Sequence, residues 1–131
     1  MGLIYLDSCL LIYLIEQHAR WAPAVAAALA SAGRSRFALS PLVECECLVG
    51  ALRRNDPVLQ QAYREAFTLF VTLPMPEAVY LQAAELRAHF GIKTRDALHL
   101  ACAQQHRCAS FWTNDDRLAR ASHGMAHNVA R

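Results

Sequence analysis

Short continuous apolar runs alternate along this chain with longer stretches whose apolar residues recur at helical spacing. Leu3-Ile4-Tyr5-Leu6 is the first run and reads as a buried strand ending at Asp7. Asp7 or Ser8 can cap a helix that reaches about Gln17. An alanine-rich helix is predicted over 22–31, ended by Gly33. Phe37-Ala38-Leu39 is a second strand, after which Ser40 caps a helix that opens on Pro41 and ends near Arg53-Arg54. Asn55-Asp56-Pro57 is a turn, 58–69 a helix, and Phe70-Val71-Thr72-Leu73 a strand closed by Pro74. Val79, Leu81, Ala83, Ala84, Leu86 and Phe90 give 76–90 an apolar face, and Gly91 stops that helix. Thr94 caps the next, about 95–105, which is apolar over most of its circumference and should lie centrally. Ser110-Phe111-Trp112-Thr113 is a strand, Asp116 opens a short helix to about Ser122, and Met125–Val129 forms a last strand.

Strands alternating with helices over the whole length predict one α/β domain, 1–131, with a mostly parallel sheet covered on both faces. A hydrophobic share of 55% rules out a disordered chain. Asp7 interrupts the most apolar region, so no spanning helix is expected. A basic leader with a small-residue cleavage site is also lacking, which points to the cytoplasm. Five cysteines without regular spacing make a poor disulfide framework, and Cys45 and Cys47 would point about 200° apart on a helix, which argues against zinc. The net charge of +2 decides little. Twelve of the 13 basic residues are arginine, suited to phosphate but equally a mark of base composition.

The acids change the picture. Asp7 ends the first strand, and Asp115 lies just past the strand 110–113, where sites form in parallel sheets. Asp96 sits in the first turn of the apolar helix. Each alone has an ordinary reading as a helix cap, but the three together do not. Glu44 and Glu46 are two apart on a helix and cannot face one pocket; local pattern does not choose between them. Gathered carboxylates repel unless a hard divalent cation such as Mg²⁺ or Mn²⁺ joins them. Such an ion can activate water and stabilise charge on a phosphodiester. No glycine-rich phosphate loop, nucleophile elbow or HExxH offers another chemistry. His99, three residues after Asp96, is read as a core or edge histidine.

Four blocks occur in order: "IYLDSCLLIYL" at 4–14, "SPLVECECLVG" at 40–50, "KTRDALHLACA" at 93–103 and "TNDDRL" at 113–118. Together they resemble the PIN-domain ribonucleases of the VapC toxin type over nearly the whole chain. In that family the second acid follows the strand-end serine by six and precedes a glycine by four, so Ser40 and Gly50 select Glu46. The Thr-x pair before the last acid selects Asp115. The resemblance implies a three-layer α/β/α sandwich with Asp7, Glu46, Asp96 and Asp115 as metal and catalytic residues. Ser8 and Thr113 would support them, with Asp116 a helix start or a minor contributor.

It further implies an endoribonuclease using one or two Mg²⁺ or Mn²⁺ ions, a small antitoxin as partner, and a homodimer. Lys93, Arg95 or Arg117 would grip the RNA backbone at the groove rim. Leu10, Leu14, Trp21, Leu48 and Leu52 could line a partner groove, although core packing explains most of them. Two alternatives remain: a catalytically silent PIN-like binding or scaffold domain, and a nuclease of the same superfamily acting on DNA.

Overall fold

A computed structural model describes residues 2–131. Five parallel strands form one sheet: β1 (Leu3–Leu6), β2 (Arg36–Leu39), β3 (Val71–Thr72), β4 (Ser110–Thr113) and β5 (Ala126–Asn128). Their order is β3-β2-β1-β4-β5. The first three strands therefore step one way from β1, and the last two step the other. Between β1 and β4, which pair Ile4 with Ser110 and Leu6 with Trp112, the crossovers diverge and open a crevice at the carboxyl ends.

The helices are α1 (Ser8–Ile15), α2 (Ala22–Ser31), α3 (Pro41–Arg53), α4 (Pro57–Phe67), α5 (Glu77–Phe90), α6 (Thr94–Gln105) and α7 (Leu118–Ala121). Helices α1 to α4 pack in a connected series and α5 packs on α6, completing the three-layer α/β/α sandwich. Tyr5, Leu6, Leu10, Leu39, Leu100 and Phe111 are fully buried between them, with Tyr5 edge-on to Phe111. Helix α6 is the buried one, as its composition predicts. Ala97, Ala101 and Ala103 are inaccessible, and their small side chains let its backbone approach its neighbours closely. No helix among the described residues is long and apolar enough to cross a membrane.

Several local expectations shift. Helix α1 stops at Ile15, and Gln17 turns the chain with φ 53°. Lys93, not Thr94, is the N-cap of α6. The helix expected from Asp116 begins at Leu118. Strand β3 keeps only Val71–Thr72 of the predicted 70–73. Gly91 does end α5, in the left-handed conformation (φ 66°) that a residue with a Cβ adopts at a cost. Cys45 is exposed and Cys47 buried on opposite sides of α3, and all five thiols are free. Burial pushes the Cys47 and Cys102 thiols up to about 12, so neither is a ready thiolate ligand.

Candidate metal centre

The crevice beside β1 and β4 gathers acids from three elements. Asp7 stands at the N-cap of α1, yet its carboxylate caps no backbone N–H. Instead Oδ2 accepts from the Thr113 hydroxyl at 2.8 Å and Oδ1 from Arg95 Nη2 at 2.7 Å. Asp96, in the first turn of α6, accepts from Arg95 Nη1 at 2.7 Å. Glu46, one turn into α3, meets Arg95 through Nε and through Nη2, the latter at 3.1 Å. Glu44 points elsewhere, toward a hollow with Leu48, Arg64 and Phe70. The structure thus brings Glu46 rather than Glu44 to the other acids.

Glu46 is held on a second side. Its Oε1 lies 2.6 Å from His99 Nε2, and His99 Nδ1 lies 2.7 Å from the Tyr5 hydroxyl, itself 2.7 Å from Ser40 Oγ. With an ionised Glu46 and a neutral imidazole, Nε2–H donates to Glu46 and Nδ1 accepts from Tyr5. Burial works against the Glu46 charge, but the hydrogen bonds from His99 and Arg95 outweigh it and bring the carboxyl down to about 2. His99 is fully buried, as read from the sequence, and it also orients a site carboxylate. Its i, i+4 spacing from Arg95 on α6 puts both over Glu46.

Asp7, Glu46 and His99 place donor atoms within 4.8 Å of one another. In the tautomer above His99 carries its proton toward Glu46, which leaves carboxylate oxygens as the open donors. That set suits a hard divalent cation. The charge balance fits too: three carboxylates face one guanidinium, leaving two negative charges unmatched.

Asp115 stands slightly apart. Its backbone N–H donates to Thr113 Oγ1 at 3.3 Å, so one hydroxyl links it to Asp7. Its carboxylate is held by Arg117, whose hydrogen bond lowers its pKa against a smaller effect of burial. Among the described residues no hydrogen bond or ion pair joins that carboxylate to the other three acids. Asp115 and Asp96 do share the wall of a cavity of about 470 Å³, with Phe90, Ile92, Lys93 and Arg120 around it. Ser8 Oγ lies 3.4 Å from Asp7 Oδ1 and 3.3 Å from Arg95 Nη2.

Two placements differ from the picture drawn from sequence. The exposed carboxylate of Asp116 pairs with Arg131. Arg95, expected at the rim, lies across the acids themselves. Tyr5 and Ser40 were not anticipated as site supports, because a tyrosine inside an apolar run and a capping serine carry no local sign of a shared network.

The fold recurs in solved structures. A chain of a toxin–antitoxin complex from Klebsiella pneumoniae superposes with a TM-score of 0.79 at 24% identity, over 95% of this chain and 96% of that one. VapBC2 from Rickettsia felis, solved with a fragment of promoter DNA, gives 0.79 at 18% identity over 96% and 98%. VapC20 from Mycobacterium tuberculosis, described as a sarcin–ricin loop cleaving toxin, gives 0.73 at 18% over 89% and 94%. No curated protein matches the sequence significantly. The sequence pattern of the PIN domain matches residues 4–124, which takes in all four acids, β4 and all of β1 but Leu3, and the chain belongs to the PIN domain family.

Proposed function

We propose that this protein is a metal-dependent endoribonuclease of the VapC type, the toxin of a toxin–antitoxin pair. One observation carries the reading: Asp7, Glu46 and Asp96 converge at the divergent crevice of a PIN sheet with two more negative charges than their arginine can match. Asp7, Glu46, Asp96 and Asp115 would hold one or two Mg²⁺ or Mn²⁺ ions. A divalent ion there supplies activation of water and stabilisation of charge on the phosphate and the leaving oxygen.

The chain's own groups do the rest. Thr113 and His99 fix the orientations of Asp7 and Glu46. The cavity beside Asp96 and Asp115 offers Lys93 and Arg120 to phosphates and Phe90 to an unstacked base, the usual means of gripping single-stranded RNA. A small antitoxin and a second copy of the chain are the partners we assign. Of the leucines considered for a partner groove, Leu10 is core, whereas Leu52 is 50% exposed beside half-buried Leu48 and remains available.

The test is RNA cleavage by metal-stripped protein given Mg²⁺ or Mn²⁺, with Asp7→Asn and Asp96→Asn beside it. Full activity in either variant removes the metal-site reading, and a parallel single-stranded DNA substrate separates the RNA reading from a DNA one. A second reading, a silent binding domain, has one observation in its favour, since Arg95 already occupies the acids. Absence of any carboxylate-dependent Mn²⁺ binding in calorimetry would favour it, and metal-dependent cleavage of RNA would exclude it.

A further inference from the structure

The guanidinium of Arg95 is bonded to three of the acids that would hold a divalent ion. Nη2 reaches Asp7 at 2.7 Å and Glu46 at 3.1 Å, Nε reaches the other Glu46 oxygen, and Nη1 reaches Asp96 at 2.7 Å. Every acid in the cluster gives it an oxygen. The remaining oxygen of Asp7 is taken by Thr113, and Glu46 Oε1 is shared with His99. An ion coordinated by Asp7 and Glu46 would stand against the guanidinium on the same oxygens, and two unscreened cations do not share so small a volume. Arg95 has somewhere to go: its side chain is 40% exposed, while Asp7 is 3% and Asp96 11% exposed. Arg117 pairs with Asp115 and makes no ion pair with Asp7, Glu46 or Asp96.

We propose that Arg95 is a resident counter-cation: it holds Asp7, Glu46 and Asp96 together when no divalent ion is bound, and the ion must displace it to enter. The inference rests on the metal-site reading above. It makes metal affinity the outcome of a competition inside the chain. The apparent affinity is the intrinsic one reduced by the fraction of molecules in which Arg95 has left. It also reconciles a site built for a divalent ion with a site already filled by an arginine.

Mn²⁺ titration by calorimetry tests this on the metal-stripped full chain, alongside Arg95→Gln and Arg95→Lys, with thermal midpoints recorded with and without Mn²⁺. Arg95→Gln is expected to bind Mn²⁺ about tenfold tighter or more, since it loses the competing state. Its metal-free midpoint should fall below wild type, and Mn²⁺ should close the gap. Arg95→Lys, which keeps the charge but loses the fork, should fall between the two and serves if the glutamine variant folds poorly. Equal or weaker Mn²⁺ binding in Arg95→Gln overturns the inference and leaves the metal site standing. Absence of Mn²⁺ binding in wild type and both variants removes the metal reading and the inference with it.

Discussion

Two arginine–carboxylate clusters in this protein look alike in contact and differ in balance. At the end of α1, Glu16 accepts from Arg54 Nη2 at 2.9 Å and from the Tyr63 hydroxyl, tying α1 to α3 and α4. One acid meets one guanidinium and one hydroxyl, and nothing is left over. At the crevice, three acids meet one guanidinium, and the acids lie deeper. A pair that is balanced and partly solvated contributes modestly to stability. A buried cluster with surplus negative charge would be unfavourable on its own terms, which is the mark of a place that expects another cation. On the proposed reading, stoichiometry of charge, more than the presence of an ion pair, separates site from scaffold.

Breaking the unbalanced cluster should have the largest effect. Glu46→Gln or Asp7→Asn should lower RNA cleavage about a hundredfold or more, because each removes a ligand charge that nothing else supplies. Glu16→Gln should leave cleavage within about twofold of wild type, since its carboxylate reaches only Arg54 and Tyr63. Initial rates at saturating Mn²⁺ measure both. If Glu16→Gln proved as damaging as Glu46→Gln, the contrast between the clusters would collapse.

Next is a residue that carries no charge. Thr113 is fully buried; its hydroxyl donates to Asp7 and accepts from the Asp115 N–H. Thr113→Val keeps the shape and removes both bonds. Mn²⁺ affinity should drop about tenfold to a hundredfold, the usual effect of losing a partner that orients a metal ligand. Arg54→Gln, which removes the guanidinium of the balanced cluster, should leave that affinity unchanged. Calorimetry on the two variants side by side sharpens the comparison.

Much of this arrangement was legible in the sequence, for reasons that also explain what was not. Leu3–Leu6 is an apolar run that ends at Asp7, and Asp115 follows the end of Ser110–Thr113 by two residues, so strand, strand end and candidate ligand lie close together in the sequence. Helix α6 announces its burial by its alanines. The choice of Glu46 over Glu44 was invisible to periodicity, because each faces a different way and either face could have been the inner one. Register within the resembling block supplied it, and the placement of Glu46 beside Arg95 agrees. The position of Arg95 was misjudged because a charge next to a site acid reads as rim, whereas the pitch of α6 turns it onto Glu46 from another helix. The links from Tyr5 to His99 and Ser40 span 94 and 35 residues, which no local pattern encodes. Asp116, read as a helix start or a minor contributor, lies two residues before α7, and its carboxylate pairs with Arg131.

The smallest effect belongs to the balanced cluster and shows as a dependence of stability on pH. Burial of Glu16 opposes its charge, but hydrogen bonds from Tyr63 and Arg54 outweigh this and hold its pKa below the ordinary 4.5. A carboxyl whose pKa is lower in the folded than in the unfolded chain stabilises the fold once the unfolded form has ionised. Its contribution is therefore complete above pH 4.5 and is lost as pH falls from there through the lower folded value. Glu16→Gln should reduce the thermal midpoint slightly at pH 7 and flatten its decline below pH 4.5, relative to wild type. Tyr63→Phe should cost about 1 kcal/mol at pH 7, the net worth of a typical hydrogen bond, and should remove part of the same acid slope. Midpoints measured from pH 3 to 7 in excess chelator isolate this contribution from any bound ion. Parallel curves for wild type and Glu16→Gln would mean that the Glu16 contact is as dispensable as an ordinary surface pair, and that balance of charge alone does not make a cluster structural.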